Sequence, residues 1–157
     1  MVTSKVKEFL ERTDIHYRNI NHPLAFTAQE TAASIHIKGK EFAKTVMIRI
    51  DGQLAMAVLP ASQKIDFELL KSILDAHEVK LCTETEFRNK FPDCEAGAMP
   101  PFGKLYDMDV YMAKSLLNNK EIFFNAGSHT DAIELTMDEF NRIVNPIILD
   151  FSKKIKV

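Results

Sequence analysis

No run of residues approaches the ~18 apolar positions that a membrane-spanning helix needs. Residues 1–14 include Lys5, Lys7, Glu8, Glu11 and Arg12 and lack the apolar stretch of a secretory signal. Cysteine is scarce: Cys82 and Cys94 are the only two, without CxxC spacing, and the five histidines are scattered. A clustered metal site is therefore not indicated. Free thiols in a reducing cytoplasm are the simplest reading of the two cysteines. GxSxG, P-loop, HExxH and GxGxxG patterns are all missing, so a conventional triad hydrolase or a zinc hydrolase is not supported. Neither sign of charge dominates: 20 Lys and Arg face 22 Asp and Glu, a formal net charge of −2. No global field draws nucleic acid, and any such binding must use a local patch.

What is present is ordinarily globular. The 157 residues, 46% hydrophobic and 27% charged, suit one domain spanning residues 1–157. Val6, Phe9 and Leu10 fall at helical spacing and predict an amphipathic helix over Ser4–Thr13. His16–Ile20 alternates like a short strand. Thr27-Ala28-Gln29-Glu30 has the capping-box pattern and predicts a helix to about His36. The clearest signal is Lys44–Ile50, then Asp51-Gly52, then Gln53–Leu59. Two apolar strands flank a dipeptide suited to a type I′ turn, and Pro60 ends the hairpin. Asp66 is placed to cap a helix over Phe67–Ala76, and Val79–Cys82 reads as a short strand. Thr83-Glu84-Thr85-Glu86 is a second capping box, opening a helix that Pro92 stops. Asp93–Gly103 is a loop rich in breakers. Asp109–Met112, Glu121–Asn125 and Ala132–Thr136 read as strands, with a short helical turn near Lys114–Asn119 and a last helix over Met137–Val144. Ile147–Val157 is expected to pack partly through Ile148, Leu149 and Phe151, leaving Lys153, Lys154 and Lys156 solvated. Strands and helices mix without strict alternation. That predicts an α/β (α+β) fold: a mixed, barrel-like sheet with flanking helices.

Few residues stand out chemically. Lys44 opens an apolar strand just after a glycine-containing loop. A lysine there can hold a phosphate, or a carbonyl oxygen that becomes negative in the transition state. Equally, it can be a solvated strand-end lysine, which is far commoner. Thr27 and Glu30 are explained by the helix cap, although a helix start also offers free N–H groups to an anion. In Gly97-Ala98-Met99-Pro100-Pro101, glycine allows close backbone approach and the prolines fix the shape, so the loop can present amides to an oxyanion. An ordinary surface turn explains it as well. His129, in the turn after Gly127, suits substrate binding or water orientation, or is an exposed turn histidine; His22 has similar standing. Cys82 reads as a packing residue, and Cys94 as a loop thiol with nothing nearby to activate it. Met47, Ala55, Met56 and Ala57 read better as core than as pocket wall.

Taken in order, these segments resemble the YbaK / prolyl-tRNA-synthetase-associated (ProX-type) aminoacyl-tRNA editing domains. His22-Pro23, Thr27–Glu30 and Ala43-Lys44-Thr45-Val46 are similar to the family's first half, and Pro60–Asp66 to the segment after its hairpin. Gly97–Pro101 matches its GxxxP loop, and Phe124–His129 with Ile133-Glu134-Leu135 resembles its closing segment. The resemblance implies a metal-free, cofactor-free hydrolysis of the ester joining a wrong amino acid to tRNA, typically tRNA for proline. It implies aminoacyl-tRNA as the partner, with prolyl-tRNA synthetase as a second, and neither DNA nor a membrane. In it Lys44, Gly97 and Pro101 take catalytic positions, the loop amides serving the oxyanion. Thr27, Glu30, Thr45, Ala98, Met99, Gly127 and His129 take substrate-binding positions. Thr45 stands where some members carry Asn, which leaves the amino acid undetermined. An aminoacyl ester is already activated, so a positioned water, or a hydroxyl or thiol of the substrate, can attack without a strong protein nucleophile. Two alternatives stay open. One is a non-catalytic tRNA- or synthetase-binding module with Lys38, Lys40, Lys64, Lys71 and Lys104 as its basic face. The other is a small-molecule hydrolase using the same pocket.

Overall fold

The computed structural model describes residues 4–155. Its elements run α1 (Ser4–Arg12), β1 (Arg18–Asn21), α2 (Ala28–Ser34), β2 (Phe42–Ile50), β3 (Gln53–Pro60), β4 (Gln63–Ile65), α3 (Phe67–Leu74), β5 (Val79–Leu81), α4 (Glu84–Phe87), β6 (Val110–Ala113), β7 (Glu121–Asn125), β8 (Asp131–Thr136), α5 (Met137–Val144), β9 (Ile147–Leu149) and β10 (Ser152–Lys154).

Local chemistry explains most of these bounds. Asp51 and Gly52 take φ of 46° and 87°, the two positive angles that a type I′ turn requires. They fold β2 onto β3 in continuous antiparallel register from Ala43↔Pro60 to Ile50↔Gln53. Thr27, Asp66 and Thr136 each accept a hydrogen bond from the backbone N–H three residues on, at 3.1, 3.1 and 3.2 Å, and so start α2, α3 and α5. Asp75 takes a left-handed φ of 50° and stops α3 two residues short of the expected Ala76. The second capping box does not form. Thr83 makes no side-chain cap bond, and α4 lasts four residues before tightening into a 3-10 turn over Arg88–Lys90.

Eight strands form one sheet in the order β1-β8-β7-β2-β3-β6-β9, with β5 also paired to β2. Parallel pairs (β2–β7, β3–β6 and β6–β9) occur beside antiparallel ones, so the sheet is mixed, as expected. It is not closed into a barrel. The short terminal strands β1 and β9 do not pair with each other and leave its two edges open. The tail is more ordered than its sequence suggests: β9 adds an edge strand, and β10 pairs with β4, a strand too short for alternation to reveal. Phe151 is fully buried, but Ile148, on the edge strand, stays 38% exposed rather than packed. Lys156 lies outside the described residues.

The main core is aromatic at its centre. Phe102 is 1% exposed. Its ring centroid lies 5.2 Å from Phe9 of α1, 5.3 Å from Phe124 of β7 and 6.4 Å from Phe140 of α5. The next residue, Gly103, has no room for a side chain: a Cβ there would meet Met108 O at 2.2 Å and Val110 Cγ2 at 2.6 Å. Gly103→Ala must push backbone against backbone. It is expected to destabilise the fold by about 1–3 kcal/mol, read as a drop of several degrees in Tm.

Candidate active site

On the edge of β2 away from β3, its two partners leave a gap. Along one edge, β2 pairs with β7 only at Phe42↔Phe123 and Ala43↔Phe124, and then with β5 from Ile48 to Ile50. Between those pairings Lys44, Thr45 and Val46 have no strand on that edge, though β3 flanks them on the other. A cleft of ≈160 Å³ opens there, with Lys44 and Thr45 on one wall, Asn125 at the end of β7, Ala28 at the start of α2, and Gly97 and Met99 opposite.

Lys44 is half-buried, and burial holds its ammonium pKa below the ordinary lysine value. Among the described residues no carboxylate pairs with it; the ion pairs are Arg18–Glu134, Arg49–Glu86, Lys80–Glu78 and Lys153–Asp66. A partly desolvated, unpaired cation in a cleft is suited to receive an anion or a polarised carbonyl.

The loop opposite is held from behind. Ala98 N–H donates to Glu95 O at 3.1 Å, closing a turn in which Gly97 has φ +82°. This is the position that type II geometry reserves for glycine. Gly127 N–H donates to Ala98 O and Glu95 N–H to Gly127 O, both at 2.8 Å. His129 adds a third brace, its Nε2 donating to Ala96 O at 2.6 Å, while its backbone N–H reaches Glu95 Oε2 at 3.3 Å. His129 is only 6% exposed, so it is not the exposed turn histidine that one reading of the sequence suggests. Because Ala98 N–H is committed and the prolines have none, Gly97 and Met99 supply the loop's uncommitted amides among the described residues.

The sequence candidates thus separate. Lys44, Thr45, Gly97 and Met99 share the cleft. Ala98 is buried behind it, and Pro101, also buried, leads into Phe102 and the core. Gly127 and His129 brace the loop rather than line the cleft. Thr27 and Glu30 are exposed and bonded to each other, Thr27 Oγ1 donating to Glu30 Oε1 at 2.9 Å, on the step before Ala28. Asn125 was not anticipated. Its Oδ1 is buried without a partner, an unmet acceptor on the cleft wall. Only its place at the end of the buried run Ile122–Phe124 hints at it. Cys94 is not an activated thiol: burial foremost raises its pKa to about 11. Met47, Ala55, Met56 and Ala57 are core residues.

Larger cavities lie elsewhere. One of ≈430 Å³, lined by Phe87, Phe91, Pro92 and Cys94, shares Met99 with the cleft. Another of ≈670 Å³, with Arg49, Lys90 and Lys104 facing Asp107 and Asp109, sits at the far end of β2. That is about 17 Å from Lys44 at strand spacing. Lys104 lines this cavity, while Lys40 lines another, beside Pro60 at the near end of β2.

The fold, an open mixed sheet with flanking helices, is shared with solved structures. A candidate trans-editing enzyme for prolyl tRNA synthetase superposes with a TM-score of 0.84 over 98% of this chain and 99% of its own, at 16% identity. A hypothetical protein of known structure gives 0.85 over 96% and 100%, at 19% identity. By sequence, the uncharacterized protein YwhH of Bacillus subtilis (strain 168) is 28% identical over 116 residues, 73% of each chain. The chain belongs to the aminoacyl-tRNA editing domain family, whose model matches residues 22–143.

Gly97→Ala tests the loop. A Cβ there meets His129 Cε1 at an ordinary 3.5 Å, so the penalty is the positive φ. The variant is expected to lose about 1 kcal/mol or more of stability in denaturant unfolding.

Proposed function

We propose that this protein is a trans-editing hydrolase that deacylates tRNA for proline carrying a wrong, small amino acid. The observation that carries the reading is the joining, in one cleft, of the unpaired Lys44 with the free amides of Gly97 and Met99 and the unmet acceptor of Asn125. The editing family supports the aminoacyl-tRNA ester as substrate, and the cleft's ≈160 Å³ supports a small acyl group.

In this mechanism the ester carbonyl lies between the loop and Lys44. Water, or a hydroxyl or thiol of the substrate, adds to the carbonyl carbon. The Gly97 and Met99 N–H groups stabilise the oxygen that becomes negative. The C–O bond to the ribose then breaks, and the proton lost by the attacking group passes to the departing ribose oxygen. With water as the attacking group, the products are free amino acid and tRNA. Lys44 holds the substrate's negative or polarised oxygen and does not act as the nucleophile. Asn125 Oδ1 accepts a hydrogen bond from the α-ammonium group, the one strong donor that every aminoacyl ester brings. Residues 1–157 act as one domain, in the cytoplasm, with prolyl-tRNA synthetase as a partner. No helix among the described residues is long and apolar enough to cross a membrane.

The deciding assay is release of Ala, Cys, Ser or Thr from mischarged tRNA for proline, beside correctly matched tRNAs. Release from none of them would leave the binding-module reading in its place. Lys44→Met is expected to reduce release by about 10²-fold, the scale of a lost electrostatic stabiliser. Burial lowers the Lys44 pKa, so between its folded and unfolded values the folded state binds fewer protons and stability rises with pH. At neutral pH the charged lysine is a burden on the fold, and Lys44→Met should melt no lower than wild type. Asn125→Leu is expected to raise KM about tenfold with a smaller change in kcat, the size of a lost charge-assisted hydrogen bond.

A further inference from the structure

The cleft's ≈160 Å³ is close to the volume of a cavity that holds benzene (about 150 Å³). It admits an aminoacyl group but no nucleoside. The nucleoside that carries the ester must therefore rest on the rim.

Phe26 does not line the cleft but lies close to it, 67% exposed. It lies two residues before Ala28, a cleft residue, a separation of at most about 7 Å along the chain. Its ring is not adrift. The centroid lies 5.2 Å from that of His129, with the planes at 58°. His129 in turn stands against Gly97 and fastens the loop through Ala96 O. The backbone leading to the ring is pinned to the same turn, His22 N–H to Thr130 O at 2.9 Å and Ala25 N–H to His129 O at 3.3 Å. A large aromatic side chain is thus fixed beside the mouth of the cleft with most of its surface facing water.

We propose that Phe26, backed by His129, is the stacking platform for the 3′-terminal nucleobase of the aminoacylated tRNA. This rests on the editing reading above and adds a nucleobase subsite to it. Stacking on an aromatic ring draws on the π-face of a base and needs no strong positive field. That suits a chain with a formal net charge of −2 whose lysines Lys40 and Lys104 sit at opposite ends of β2.

The test compares two non-hydrolysable ligands by calorimetry: 3′-alanylamino-3′-deoxyadenosine and the same compound without its base. Wild type is expected to bind the base-bearing ligand about tenfold more tightly. Phe26→Ala should reduce that preference to near one, and Phe26→Trp should keep it. Phe26 is exposed, so an unchanged Tm confirms that each variant is folded. A preference that survives in Phe26→Ala overturns the platform. So does a wild type that binds both ligands alike, or neither. Failure of the editing reading shows separately, as no amino acid released from any mischarged tRNA; a protein that deacylates tRNA yet shows no base preference sinks the platform alone.

Discussion

Phe102 is the residue on which the site's geometry depends. Its ring sits among Phe9, Phe124 and Phe140, which come from three different elements, so one side chain ties α1, β7 and α5 together. It also ends the Gly97–Pro101 loop, and the loop therefore leaves the core from a fixed point. Packing of this kind contributes about 0.5–1.5 kcal/mol per aromatic pair beyond the area buried. The other end of the loop is fixed by hydrogen bonds to Gly127 and His129. Between these two anchors, Gly97 and Met99 are displayed by backbone geometry rather than by flexible side chains. Phe124 then places Asn125, its neighbour, across the cleft.

Two different physical economies meet in that cleft. The loop offers neutral dipoles whose orientation is fixed by its braces, so in the proposed reaction little reorganisation is needed as charge develops. Lys44 is the opposite case: a full charge, partly stripped of water and left without a counter-ion. The first adds little strain to the fold, while the second weighs against it until a ligand supplies what is missing. Asn125 shows the same logic in neutral form, a buried acceptor awaiting a donor.

Elements governed by local chemistry were legible in the sequence. The Asp51-Gly52 turn, the Thr27 and Asp66 caps and the α5 span of Met137–Val144 follow from residue type and period. The second capping box misled because a pattern of Thr and Glu does not guarantee the bond, and the chain tightened toward Pro92 instead. Strands β4, β9 and β10 were hidden because three residues carry too little alternation, and their partners lie far away in sequence. Barrel closure was not legible either, since it depends on whether β1 and β9 meet. Of the site, the lysine and the glycine loop were visible as motifs. The bracing roles of Gly127 and His129, and the unmet oxygen of Asn125, emerge only from tertiary contact. Sequence order placed these residues in one list, and only the fold could say which face the cleft and which stand behind it.

Met99 has a further consequence. It belongs to the wall of the ≈160 Å³ cleft and also to that of the ≈430 Å³ cavity beside Phe87 and Phe91. The partition between the two spaces thus includes a single unbranched thioether, the most adaptable of the apolar side chains. Its amide stays with the braced loop whatever the side chain does. The dimension of the chamber and the polarity of its rim are therefore separable quantities. On the proposed function, a change at this one position alters the size of acyl group admitted while the backbone of the loop stays as it is.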